Sequence, residues 1–185
     1  MKNEIIIAGS CGQGVLLAGV IITQTAIEQN LHTTWFPSYG AEVRGGTANS
    51  TTIISNEEIG SPIASNPDVL VVLNELSLNK FMPTAKEDAV IIANSSLISS
   101  NIQCNPKTYF VALNDIADLE IKNIKSANMV AIGALLKILE KKHQDKTCVL
   151  TLENAFKACR KIFSQKSNLI ESNRKALQAG YNFIV

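Results

Sequence analysis

The chain predicts a single three-layer α/β/α domain spanning residues 1–185, built on a mixed, mostly parallel sheet. Short β-branched runs recur through the first two thirds, helical stretches separate several of them, and the last third turns wholly helical. With 185 residues and 46% hydrophobic composition, the chain is long and apolar enough to cover both faces of such a sheet.

Glu4-Ile5-Ile6-Ile7-Ala8-Gly9 reads as a buried first strand, because a continuous branched run suits a strand covered on both faces. From Gly14 to Gln29 the apolar positions Val15, Leu16, Val20, Ile21, Ala26 and Ile27 suit a helix, and Ala18 and Gly19 are small enough to bring it close to the sheet. His32 to Phe36 is a second strand ended by Pro37, and Thr47 to Ser55 is a third. The connection between them is too short for a helical crossover, so the two strands are expected to run antiparallel.

Asn66-Pro67-Asp68 marks a turn before the strand Val69 to Leu73, and Ala89 to Asn94 and Tyr109 to Leu113 are later core strands. A helix from Asn128 runs to the charged end Lys141-Lys142-His143, which suits the negative helix C-terminus. Thr151 caps the next helix, which carries Ala155, Phe156, Cys159 and Phe163, and a final helix from Asn168 to Ala179 stops at Gly180.

The composition excludes several functions. Seventeen Lys+Arg balance sixteen Asp+Glu for a net charge of +1, with no basic block, so a nucleic-acid partner is not expected. The apolar runs Val15–Ile22 and Val69–Leu73 fall short of the roughly 18 residues of a membrane span. The strand pattern begins too early for a signal peptide, and a cytoplasmic location is expected. Cys11, Cys104, Cys148 and Cys159 lie far apart and lack the spacing of iron–sulfur or zinc ligands, so they read as buried or incidental thiols and no metal site is expected. His32 and His143 have no acid or nucleophile at motif spacing and are assigned no chemistry.

Two glycine motifs carry the functional signal. Gly9-Ser10-Cys11-Gly12-Gln13-Gly14 sits between a strand and a helix, where free backbone amides and the helix dipole favour an anion. It is not a P-loop, since Val15 and Leu16 stand where lysine and a hydroxyl are required. Nor is it a dinucleotide fingerprint, since its order is G-x-x-G-x-G and no acid closes the second strand. A tight turn without ligand, anion binding and contact with another subunit all remain consistent with it. Cys11 at the helix start has no paired base or resolving cysteine nearby, so packing is favoured over nucleophilic chemistry.

The second motif is Pro37-Ser38-Tyr39-Gly40-Ala41-Glu42-Val43-Arg44-Gly45-Gly46. A plain connector needs turn residues but not an aromatic hydroxyl, a carboxylate and a guanidinium beside a Gly-Gly pair. Arg44 offers donors to a phosphate or carboxylate, or pairs with Glu42 or with a partner's carboxylate; Tyr39 suits an interface anchor.

Together, Gly9 to Val15, Pro37 to Gly46, Ser61-Pro62, Pro67-Asp68, Asn128 to Ala134, and Asn173 with Gly180 resemble the gamma subunit of 2-oxoacid:ferredoxin oxidoreductases over essentially the whole chain. Cys11 departs from the pattern, which has glycine there. The resemblance implies a subunit of an enzyme that converts a 2-oxoacid, coenzyme A and oxidised ferredoxin to acyl-CoA, CO2 and reduced ferredoxin. It implies thiamine diphosphate, magnesium and iron–sulfur clusters on alpha, beta and delta partners, with no cofactor bound by this chain alone and no catalytic residue on it. It further implies that Gly9, Gly12, Gln13, Gly14, Ser38, Tyr39, Glu42, Arg44, Gly45 and Gly46 serve coenzyme A binding or subunit contact. The E-V-R-G-G-T-A-N-S form points to 2-oxoglutarate as substrate. The beta subunit of an indolepyruvate enzyme and a free-standing anion- or nucleotide-binding module are the alternatives.

Overall fold

The computed structural model of the chain describes residues 2–39, 47–99, 101, 107–142 and 150–184. Expectations on Gly40 to Gly46, Cys104, His143 and Cys148 therefore lie outside the described residues.

Six strands form one sheet: β1 Lys2–Ser10, β2 His32–Tyr39, β3 Thr47–Ser55, β4 Val69–Val72, β5 Val90–Asn94 and β6 Thr108–Val111, in the order β2-β3-β1-β4-β5-β6. β1, β4, β5 and β6 pair in parallel, and β3 is inserted antiparallel between β1 and β2. The expected mixed, mostly parallel sheet and the antiparallel β2–β3 pair are both present.

Alternation along β1 divides the interior into two. Ile5 and Ile7 face a large core formed with α1 Val15–Ile27, α3 Leu113–Leu119, α4 Ala127–Lys142, α5 Leu152–Ile162 and α6 Ser167–Phe183. Ile6 and Ala8 face a smaller core closed by Leu78 of α2 Glu75–Phe81, by Ile98 and by the partly buried Phe81, Met82 and Phe110. The three layers are thus unequal. α4 is the central helix of the thicker layer, and its residues from Asn128 to Leu136 are buried without interruption, which explains why its sequence reads as apolar nearly all round.

Several sequence boundaries shift for physical reasons. β2 does not end at Pro37 but runs on to Tyr39, with Pro37 opposite Ser50. It is the last strand of the sheet, and an edge strand tolerates a residue without an N–H. Leu113 belongs to α3 and not to β6, because the strand ends at Val111. Thr151 does cap α5, its Oγ1 accepting the Asn154 N–H at 3.2 Å. Gly19 lets α1 approach the sheet as expected, since a Cβ there would strike Ser50 Oγ and lie 2.6 Å from Trp35 Nε1. That indole N–H donates to Ser50 Oγ at 2.8 Å.

Gly180 is not a helix stop. α6 continues through it to Phe183, and a Cβ at Gly180 would overlap the backbone carbonyl of Val130 on α4. Gly133 on α4 reciprocates, its missing side chain leaving room for the Leu177 carbonyl of α6. Two glycines therefore let these helices touch backbone to backbone. Gly180→Ala and Gly133→Ala should each lower stability by about 1–3 kcal/mol through overpacking, read as an earlier urea midpoint at unchanged slope.

Candidate functional site

All parallel strands end at one edge, and so does the start of antiparallel β3. Ser10 at the end of β1 pairs with Thr47, and Tyr39 at the end of β2 pairs with Ala48. The glycine turn that follows Ser10 and the two strand ends that flank residues 40–46 thus meet at the same edge. Ser38 and Tyr39 are exposed there, Tyr39 at 67%.

This edge is also where the chain changes direction. α1 follows β1 and packs into the larger core, while α2 follows the neighbouring β4 and packs into the smaller one. Adjacent strands that send their helices to opposite faces leave a crevice beyond their C-terminal ends, the usual ligand position in open α/β sheets.

Amide side chains hold the crevice. Gln13 Oε1 accepts the Ser10 backbone N–H at 2.7 Å and the Asn74 Nδ2–H at 2.9 Å, and Gln13 Nε2 donates to the Leu73 carbonyl at 3.3 Å. Asn74 also donates to Ser10 Oγ at 2.8 Å, and its Oδ1 caps α2 by accepting the Ser77 N–H at 2.9 Å. Asn94, fully buried at the end of β5, donates to the Leu73 carbonyl at 3.1 Å and to Asn114 Oδ1 at 2.9 Å, and accepts the Leu113 N–H at 3.1 Å. The ends of β1, β4 and β5 are thereby tied together by neutral groups whose buried donors and acceptors satisfy one another.

The glycines are needed for shape. Gly12 and Gly14 have φ of +95° and +72°, and a Cβ on Gly14 would also strike the Asn128 side chain, whose Nδ2 donates to the Gly14 carbonyl at 3.1 Å. Gly9 lies within 2.8 Å of Gln13 Oε1 at the position a Cβ would take. Cys11 is not among the residues of positive φ, so its presence in place of glycine introduces no backbone strain. α1 follows its N-cap Gly14, which has no side-chain cap hydrogen bond, and its first turn carries no acid to offset the positive end of the dipole.

A cleft of about 140 Å³ opens at this edge, lined by Gly12, Gln13, Leu73, Asn94, Asn114, Ile124, Lys125 and Ala127. Lys125 comes from a short 3₁₀ turn, Ile124–Ser126, and adds a cation to a lining that is otherwise neutral. Of the expected site residues, Gly9, Gly12, Gln13, Gly14, Ser38 and Tyr39 converge on one edge; Glu42, Arg44, Gly45 and Gly46 lie outside the described residues. Asn74, Asn94, Asn128 and Lys125 were not among the site residues expected from the sequence. Asn74 had a legible signal, an amide directly before a helix start.

The two described cysteines differ. Cys11 is exposed, which corrects the expectation of a packing role, whereas Cys159 is buried and burial pushes its thiol up to about 12. Among the described residues, no group of three or more His, Cys, Asp or Glu converges as a metal site.

The family model of pyruvate ferredoxin/flavodoxin oxidoreductase matches residues 4–183, and the chain belongs to that family. Ketoisovalerate oxidoreductase subunit VorA of Methanothermobacter marburgensis is 34% identical over 174 residues, covering 94% of this chain and 35% of VorA. The chain thus spans about a third of the length of that relative. 2-Oxoglutarate synthase subunit KorC of Methanocaldococcus jannaschii is 33% identical over 184 residues, covering 98% of this chain and 93% of KorC. The crystal structure of the gamma subunit of a keto/oxoacid ferredoxin oxidoreductase from Geobacter sulfurreducens superposes with a TM-score of 0.79 at 30% identity, covering 98% of each chain.

Two outcomes test this geometry. Asn74→Ala should cost about 1–3 kcal/mol in chemical denaturation, and Asn74→Asp, which keeps the cap acceptor but loses both donors, should recover part of that loss. Iodoacetamide at pH 8 should label Cys11 in the folded chain and reach Cys159 only after unfolding, as read by peptide mass spectrometry.

Proposed function

We propose that this chain is the gamma-type subunit of a 2-oxoacid:ferredoxin oxidoreductase, and that its share of the reaction is to bind part of coenzyme A and to join the assembly. The observation that carries this reading is the pairing of Ser10 with Thr47, which brings the uncapped start of α1 and the strand ends on either side of residues 40–46 to one sheet edge beside the Lys125 cleft. Backbone amides at a helix start together with a lysine suit the phosphates of coenzyme A. Arg44, within the intervening segment, adds bidentate donors for the same charge or for a partner's carboxylate.

Thiamine diphosphate supplies the carbon chemistry of this reaction class, and iron–sulfur clusters pass the electrons to ferredoxin. This reading assigns both groups to partner subunits, as the family resemblance implies. What this chain does is positional: Gln13, Asn74 and Asn94 hold the crevice, Gly12 and Gly14 let a ligand approach the backbone, and Lys125 neutralises charge.

2-Oxoglutarate is the favoured substrate. The E-V-R-G-G-T-A-N-S form of the second motif and the likeness to KorC, named for 2-oxoglutarate synthase, support this choice. The acid itself contacts the thiamine-bearing partners in this reading, so its identity is tested on the complex.

In the reconstituted complex, Arg44→Ala and Lys125→Ala should each raise KM for coenzyme A about tenfold while kcat and subunit stoichiometry hold, because each removes a charge-assisted contact. Loss of subunits without a change in KM would assign these residues to assembly alone.

A further inference from the structure

We infer that Asn114 is the specificity-determining residue of the cleft: its amide is held so that it donates into the cleft and cannot accept, and with Lys125 it selects a phosphoryl group, whose oxygens are acceptors. The inference rests on the reading above that this cleft takes part of coenzyme A. It starts from Asn94, fully buried at the end of β5. Asn94 Oδ1 accepts two backbone N–H groups, from Leu113 at 3.1 Å and from Ser96 at 3.3 Å, and its Nδ2 donates to the Leu73 carbonyl at 3.1 Å. A flipped amide would set Nδ2 against two N–H donors and Oδ1 against a carbonyl oxygen, so only one orientation is satisfied.

That orientation dictates the next one. The second Nδ2–H of Asn94 is accepted by Asn114 Oδ1 at 2.9 Å, which turns Asn114 Nδ2 away from Asn94. Among the described residues Asn114 Nδ2 has no hydrogen-bond partner, and its half-buried side chain lines the cleft. The other lining groups follow the same rule. Gln13 Oε1 is taken up by Ser10 and Asn74, and the Leu73 carbonyl receives both Gln13 Nε2 and Asn94 Nδ2. Every side-chain acceptor of the lining is therefore used inside the protein, while Asn114 Nδ2 and Lys125 Nζ remain as donors, and no carboxylate is among the lining residues. An ammonium or an amide N–H placed there meets no side-chain acceptor, whereas an anionic oxygen receives charge-assisted hydrogen bonds.

Coenzyme A carries two such groups, its diphosphate and its 3′-phosphate, and dephospho-coenzyme A lacks the second. Calorimetry of the reconstituted complex with each compound separates them. Asn114→Asp keeps an oxygen to accept from Asn94 but replaces the free donor with a second acceptor, so its urea midpoint should hold while its affinity for coenzyme A falls more than about tenfold. The fall should persist in a Lys125→Ala background, where the new carboxylate has no Lys125 ammonium to pair with. Asn114→Ala, which removes the donor without adding charge, should weaken binding about tenfold, less than Asn114→Asp does. A loss seen with coenzyme A and not with dephospho-coenzyme A assigns the 3′-phosphate to the cleft, and an equal loss with both assigns the diphosphate. Coenzyme A affinity unchanged by either Asn114 substitution overturns the inference. If Lys125→Ala still weakens binding in that case, the coenzyme A reading stands without it; if it does not, both fall.

Discussion

The hydrogen bonds of Gln13 are the constraint on which the candidate site depends. One amide side chain accepts from Ser10 and Asn74 and donates to the Leu73 carbonyl, so the turn after β1 is tied to the end of β4 at the point where the two strands part company. Because α1 and α2 leave these strands for opposite faces, the backbone ladder between β1 and β4 closes with the Leu73 N–H donating to the Ala8 carbonyl at 2.9 Å. The amides take over beyond that bond. They do so with neutral groups, and the dipole of α1 and the charge of Lys125 add to the field a ligand meets there.

A second constraint is the insertion of β3. Because β3 runs antiparallel to both its neighbours, it starts at the edge where β1 and β2 end. The antiparallel register pairs Ser10 with Thr47, 37 residues further along the chain, so the glycine turn after β1 and the start of β3 meet at one edge. The thicker helical layer supports this from behind. α4 crosses α6 at glycine-to-backbone contact, and Asn128 at its start reaches forward to the Gly14 carbonyl, so the packing of the last third of the chain bears on the first loop.

Much of this was legible because the signals were local. Branched runs marked the strands, the short β2–β3 connection marked the antiparallel pair, and Thr151 marked a cap. Failures came where one residue type serves two physical ends. Gly180 carries the composition of a helix terminus but is present for close helix packing, and Pro37 carries the signal of a strand end but sits on an edge where its missing N–H is harmless. Lys125 and Asn94 were not legible as site residues, since their convergence with Gln13 is created by tertiary packing between elements distant in sequence. Family membership, in contrast, rests on the glycine motifs that the sequence showed directly, and the matched region confirms it.

The central claim is that the C-terminal edge of this sheet forms part of a coenzyme A site in a larger assembly. The most direct measurement is a structure of the reconstituted oxidoreductase with coenzyme A bound. The account predicts ligand phosphate within hydrogen-bond distance of the Gly12–Gly14 backbone or of Lys125, with the ligand bridging to a partner subunit. Coenzyme A bound wholly within the partner subunits, with this edge facing solvent, would contradict it.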